Sequence, residues 1–460
     1  MGFGQGLSGL EAQSQNLAVI GNNVANASTV GFKSSETLFS DVYANSLTGS
    51  GATQIGIGVK VGAVEQSFTQ GNITASSNPL DIAINGDGFY EMSDNGAISY
   101  TRNGQFQLDK SGFITNASGE RLQGYAVNAG GVLQTGSTQD LQINTQNIAP
   151  KQTANVDVQL NLNAQDALPV TAAFNPTDPT SYNNSSSVTI YDSEGVAHTL
   201  QTYYVKTQPT PAAAPGAVEA QWAVYGTLDG KNLDGSAFST GTFTSDGPLA
   251  VLTFNSNGAI DTVNTTANSS AAGIAQGPAA PAPTIPPAAI STESTNNAAE
   301  FFIQPIINDG ASTPMSFGLN FTGTTQYGAP FATAALTQDG YTSGQLSGFS
   351  ASANGTIVGT YTNGQSQTLG QIALADFTDP NGLQNLGNNQ YAATATSGQA
   401  LVGVPGTGRL GVLQSGATED SNVDLTAQLV SMITAQENYQ ANAQTVKTEN
   451  DLLQTLVTLR

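Results

Sequence analysis

The 460-residue chain has no cysteine, one histidine and one tryptophan, and its 11 basic residues stand against 33 acidic ones for a formal net charge of −22. Without thiols there can be no disulfides and no thiolate metal sites, so the fold must hold by core and sheet alone. An acidic surface with so few cations repels phosphate backbones, which argues against nucleic acid as a partner. Long apolar runs are missing as well. The longest early one is Leu17–Ile20, and no basic residue precedes Lys33. A cleaved secretory signal needs a charged start and ~7–15 apolar residues, and a membrane span needs ~20. The expectation is therefore no membrane insertion, and either a cytosolic protein or one exported without a cleaved signal.

Signatures of catalysis are also scarce. His198 lies on an expected strand without a Cys, His or Ser-Asp partner pattern nearby in sequence, which suits a structural histidine. Gly406-Thr407-Gly408-Arg409-Leu410-Gly411 fits GxGxxG, but a dinucleotide site needs a helix opening at the motif, and Val412–Gly416 reads as strand or loop. Asn85–Gly88 and Asp192–Gly195 are acidic turns lacking the alternate ligands and terminal Glu of a calcium loop. These are hairpin turns, and the expectation is no catalytic, cofactor or metal site.

What the chain does have is a heptad pattern at each end. Phe3, Leu7, Leu10, Leu17 and Val24 fall on a/d positions, with Ser14 and Gly21 filling the gaps. Near the other end Leu425, Met432, Tyr439, Val446 and Leu453 take d, while Leu429, Gln436, Ala443, Asn450 and Val457 take a. A heptad stripe must meet another helix. The ends are expected to pair with each other and with copies of the chain, as in a subunit of an assembly.

Between them the 51 glycines and only 10% charged residues suit short strands and tight turns. Leu80, Ile82 and Ile84 alternate, and Asn-Gly or Ser-Gly turns follow at Asn95-Gly96, Asn103-Gly104, Ser111-Gly112 and Ser118-Gly119. Val156, Val158, Leu160 and Leu162 alternate in their turn. The expected fold is mainly β with terminal α-helices and nested domains. Residues 1–26 and 421–460 form a helical coiled-coil inner domain, with Asp424 complementing the second helix's N-terminus. Residues 27–70 are an irregular linker, within which Ile55, Ile57, Val59, Val61 and Val64 offer a short strand, 71–148 with 341–420 a discontinuous β domain, and 149–340 an inserted outer β domain. Pro/Ala-rich segments at 209–215 and 277–287 are surface excursions, because proline has no donor for a sheet interior.

Leu17–Asn26, containing Asn22, Asn23 and Asn26, followed by Thr29-Val30-Gly31-Phe32-Lys33, resembles the N-terminal signature of the bacterial flagellar rod, hook and hook-associated axial proteins. Gly71–Ile73 with Asn78–Phe89 resembles the next block of that family. Ser421–Leu425, with Asn422 and Asp424, then Met432-Ile433 and Gln436–Asn442, resembles its C-terminal signature. Gly344–Phe349, Asn354–Thr356, Tyr361–Gly364 and Gln371–Leu374 look like the hook branch in particular. The likeness covers roughly the first third and the last quarter of the chain.

The resemblance implies a structural, non-enzymatic subunit that self-assembles into a curved, flexible tube and transmits motor torque. It implies a helical homopolymer whose partners are the distal rod protein, the hook cap, the hook–filament junction protein, the type III export gate and the hook-length ruler protein. Location would be the extracellular hook, reached through the flagellar type III apparatus. Phe39 and Tyr43 are similar to the Phe-x-x-x-apolar element that engages the export gate. The rival expectations are a distal-rod protein of the same family and, from another class, a secreted β-rich adhesin or carbohydrate-active enzyme built on a distant carboxylate pair.

Overall fold

A computed structural model of the chain describes residues 2–42, 56–128, 131–207, 220–233, 248–264, 300–305, 307 and 315–458. It is mainly β, with helix α1 at Gly2–Ala25 and helix α2 at Leu425–Thr458. Two compact units emerge: residues 1–146 with 346–460, and residues 147–345. The segments 209–215 and 277–287 lie outside the described residues.

In the first unit, strands from before and after residues 147–345 join in one sheet. Strand Arg121–Ala126 pairs with Ser366–Ile372, Phe89–Asp94 with Leu374–Asp376, and Ala97–Thr101 with Gln390–Ala392. Ile82–Asn85 and Ile73–Ala75 find their only strand partners among described residues in Val412–Ser415 and Ala417–Glu419. The alternation of Ile82, Ile84, Tyr90 and Met92 thereby meets Ile372, Leu374 and Leu413 in one core. Fully burying each such side chain contributes about 1.5–3 kcal/mol. A second cluster is aromatic: Phe68, Phe89, Tyr100, Phe377 and Tyr391 meet edge to face at centroid distances of 4.8–5.9 Å.

The second unit packs two sheets around a shared core. One is a five-stranded antiparallel meander of Asn184–Tyr191, Ala197–Thr207, Ala220–Leu228, Ala250–Phe254 and Ile260–Asn264. The other orders Glu300–Ile303, Phe317–Asn320, Asn155–Asn161 and Ala332–Gln338, its middle pair parallel. Val156, Val158 and Leu160 face the core while Asp157 and Gln159 face water, the period-2 pattern of a half-buried strand. Trp222, Tyr204 and Phe317 complete that core.

Two expectations are corrected. Residues 27–70 are not an irregular linker, because strands β1 (Ser35–Val42) and β2 (Gly58–Gln66) form an antiparallel ribbon. A two-stranded ribbon is marginal alone. This one packs on α1, where Ser8 Oγ accepts from the Val59 amide and Gln5 donates to the Gly56 carbonyl. The glycines that break the sequence pattern allow the close approach: a Cβ at Gly58, whose φ is 145°, would strike Ser8. Helix α2 opens at Leu425, later than residue 421, with Asp424 as its cap. Asp424 Oδ1 accepts from the amides of Thr426 and Ala427 at 2.8 and 3.1 Å.

Candidate assembly interface

Helices α1 and α2 pack against each other in antiparallel fashion, with Gly6, Gly9 and Asn23 facing Val446, Asn442 and Gln428. The buried stripe of α1 is Gly6, Gly9, Ala12, Ile20 and Asn23. It lies one residue before the leucine stripe, a rotation of about 100° on the helix. The reason is room. A Cβ at Gly9 would stand 2.7 Å from Asn442 Oδ1, and one at Gly6 would stand 2.8 Å from a Val446 methyl. The helices are too close at these positions for leucine.

The leucine stripe is consequently turned away. Phe3 and Leu7 are 47% and 52% exposed, and Leu10, Leu17 and Val24 are half-buried. On α2, Met432, Ala443 and Val446 are partly covered, whereas Leu425, Leu429, Tyr439 and Leu453 of the expected seam are exposed, along with Val430, Ile433 and Leu452. Gln436 and Asn450 are exposed too, and the Val457 side chain lies outside the described residues. So many large apolar groups on two neighbouring helices form a surface of the kind that marks an interface. Phe39 is exposed on β1, while Tyr43 lies outside the described residues.

The asparagine-rich signature ties α1 to the ribbon. Asn23 is buried, and its side-chain amide accepts from the Ser35 amide at 2.9 Å and donates to the Ser35 carbonyl at 2.7 Å, completing β1 as a strand neighbour would. Asn26 closes the helix end through the Asn22 carbonyl and side chain, and Asn442 Nδ2 donates to the Asn438 carbonyl within α2. Asn422 does not cap α2. It accepts from the Ser34 amide and donates to the carbonyls of Ser67 and Thr69. Gly31 at φ 71° lies where a Cβ would meet the Asn103 backbone at 2.8 Å, and Phe32 beside it is buried.

At the root of both helices lies a buried charge cluster that the sequence did not reveal. Glu419 is 1% exposed and is held by Lys33 at 2.7 Å and Arg102 at 3.1 Å, both cations being buried as well. Every polar arm is engaged. Lys33 also donates to the Thr69 carbonyl, Arg102 to the carbonyls of Gly86 and Gly88, and the Gly71 amide to Glu419. Burial alone would raise the Glu419 pKa, but Arg102 and Lys33 outweigh it and hold the carboxyl below its ordinary value. Burial, then repulsion from Arg102, pulls the Lys33 ammonium below its ordinary value against the attraction of Glu419. The one available signal was scarcity: Lys33, one of only 11 basic residues, closes the Thr29–Lys33 block.

The turn motifs are structural. Gly406–Gly411 joins strands Leu401–Gly403 and Val412–Ser415 with no helix following, and Arg102 clamps the Gly86–Gly88 turn. Among the described residues no group of three or more His, Cys, Asp or Glu side chains is placed to hold a metal ion, and no helix is long and apolar enough to cross a membrane.

Comparison with known proteins gives four consecutive family matches. Residues 5–33 match the flagella basal body rod protein, 83–166 the D1 domain of flagellar hook protein FlgE/F/G, 161–341 the D2 domain of flagellar basal body protein FlaE, and 414–459 the C-terminal part of flagellar basal body rod FlgEFG proteins. The flagellar hook protein FlgE of Salmonella typhimurium is 38% identical over 464 residues, covering 100% of both chains. That of Borreliella burgdorferi is 31% identical over 471 residues, covering 99% of this chain and 98% of its own. A crystal structure of Helicobacter pylori flagellar hook protein FlgE2 covers 75% of this chain and 99% of its own, at 14% identity and a TM-score of 0.49. With relatives matched from end to end at these identities, the chain belongs to the flagellar hook protein family.

Proposed function

We propose that this chain is the structural subunit of the bacterial flagellar hook, polymerising through its terminal helices into a curved tube that transmits torque as a universal joint. The observation that carries the mechanism is the exposed apolar surface shared by α1 and α2, from Phe3 and Leu7 to Leu429, Ile433 and Leu453. Burying one leucine there contributes about 1.5–3 kcal/mol. A subunit lattice that covers several per helix holds the tube firmly, while a lone subunit leaves them in water. The seam is Leu7, Leu10, Leu17 and Val24 with Leu425, Leu429, Met432, Tyr439, Val446, Leu453 and Val457. Unit 147–345 is the inserted outer domain, and its contacts with neighbours bias the tube's curvature.

In this reading the distal rod protein supports the base of the tube, the cap covers its growing end and the junction protein follows it. Subunits leave the cell through the flagellar type III gate, with Phe39 in the gate element, and the ruler protein sets the final length. No step calls for catalysis, metal or cofactor. Electron microscopy of purified protein after nucleated assembly tests the reading. Curved tubes are expected from the native chain and none from Leu429→Asp, whose carboxylate would be buried unpaired in the seam. Straight tubes would refute the hook assignment in favour of a rod, and unimpaired assembly of Leu429→Asp would remove the seam from the mechanism.

A further inference from the structure

The single histidine of the chain sits between two carboxylates in the unit of residues 147–345. His198, second residue of strand Ala197–Thr207, is buried. Its Nδ1 lies 2.7 Å from Asp229 Oδ2, and its Nε2 faces Asp192 Oδ2 at 3.6 Å. The two acids come from different turns. Asp192 begins the hairpin turn after strand Asn184–Tyr191, and Asp229 follows strand Ala220–Leu228. Both turns depend on those carboxylates. Asp192 Oδ1 accepts from the amides of Glu194 and Val196, and Asp229, at the left-handed φ of 51°, accepts from the Thr199 amide at 2.7 Å.

The ring's protonation state follows from this geometry. With Nδ1 donating to Asp229, a neutral imidazole presents its Nε2 lone pair toward Asp192, which is 1% exposed. The Asp192 Oδ2 atom is itself buried and accepts no hydrogen bond among the described residues. Against burial, backbone donors and His198 hold Asp192 below the ordinary carboxylate range, so it stays charged. A proton on Nε2 replaces repulsion with attraction between buried charges. Glu194 and Lys231 are the other charged residues of the two turns.

We propose that His198 is a proton-operated clamp: as the imidazolium it ties the turn at 192–196 to the turn at 228–231, and loss of the Nε2 proton weakens that tie. The clamp is independent of the assembly seam and holds for the isolated chain. The sign follows from linkage. A histidine that binds its proton more tightly when folded adds stability that is fully present below its unfolded value of ~6.5, and that stability is lost as pH rises through the folded midpoint. Each unit of upward displacement corresponds to a tenfold change in the folding equilibrium of the unit.

Because His198 is the only histidine, the full chain labelled at histidine gives one imidazole resonance. Its midpoint is expected above ~6.5, and lower in Asp229→Asn. Asp229 is nearly half exposed, and asparagine retains an acceptor for the Thr199 amide, so this variant should fold. Thermal unfolding followed through Trp222 should weaken between pH 6 and pH 9 in the native chain, and that slope should be lost in His198→Gln. A native midpoint at or below ~6.5 would overturn the proposal. So would an unchanged midpoint in Asp229→Asn, or an undiminished slope in His198→Gln.

Discussion

Replacing Glu419 with alanine leaves Lys33 and Arg102 buried against each other with no anion between them. Breaking a buried ion pair from one side costs about 3–5 kcal/mol, because the remaining charge is left uncompensated. Here two cations are stranded, and the Gly71 amide loses its acceptor as well. For a unit of this size each kcal/mol corresponds to roughly 2–4 °C, so the transition of the unit containing Glu419 should fall by roughly 6–20 °C. Lys33→Met should cost much less, because it removes the surplus cation and leaves Arg102 with Glu419 as a balanced pair. The single tryptophan, Trp222, lies in the unit of residues 147–345 and serves as an internal control. Far-ultraviolet dichroism should show the early transition, while Trp222 fluorescence should keep its native midpoint. A loss under about 1 kcal/mol, within the range of a single ordinary hydrogen bond, would refute the reasoning. So would Lys33→Met proving the more damaging of the two. The pH dependence has a definite sign. The Glu419 pKa is lowered from 4.5 by its cations, so its contribution is present above that value and is lost as pH falls through the folded value. Acid unfolding of Glu419→Gln should therefore have a shallower limb.

Other expectations test other joints. Asn23→Ala strips the Ser35 amide and carbonyl of their partner and should cost about 1–3 kcal/mol, read as faster hydrogen exchange along β1 in the monomer. Gly9→Leu cannot fit against Asn442, so α1 and α2 should separate and tubes should fail to form, while the core melt stays within experimental error of native. Core unfolding alongside the helices would show that α1 and the β unit share one cooperative transition. Excision of residues 147–345 with a short Gly/Ser join should leave a folded protein, because Ile148 and Gly344 already pair as neighbours and the join need span only a strand spacing. A collapsed product in calorimetry would show that the two units share a core.

The mainly β character and the helix at each end were legible in the sequence, because both rest on local periodicity. Val156–Leu162 alternates with period 2, and α2 keeps apolar residues on heptad spacing for its whole length. The direction of each helix face was not legible. Leucines mark an apolar stripe whatever covers it, and only packing shows that α1 turns Gly6 and Gly9 to its partner and leaves Phe3 and Leu7 exposed. The β1–β2 ribbon was only half legible: Val59, Val61 and Val64 mark β2, but the glycines that the close contact with α1 requires weaken the pattern, and β1 gave no strand signal.

Side chains that act through distant partners left no trace in local pattern. Glu419 meets Lys33 across 386 positions and Arg102 across 317, and neither spacing has a period. Asp424 was readable as the residue that complements the start of α2, and it caps the helix, whereas nothing local to Asn422 points to Ser34, Ser67 and Thr69, which the fold brings to it. His198 looked solitary because Asp229 is 31 residues away and becomes its neighbour only when two strands pair. The sequence by itself determined the two terminal helices, the clearly alternating strands such as Val156–Leu162 and the apolar stripes they carry, since those properties follow from neighbours three or four positions away in a helix and two in a strand. Tertiary structure alone decided which charges meet and which stripe stays uncovered, because burial and pairing depend on residues that the chain brings together only after it has folded.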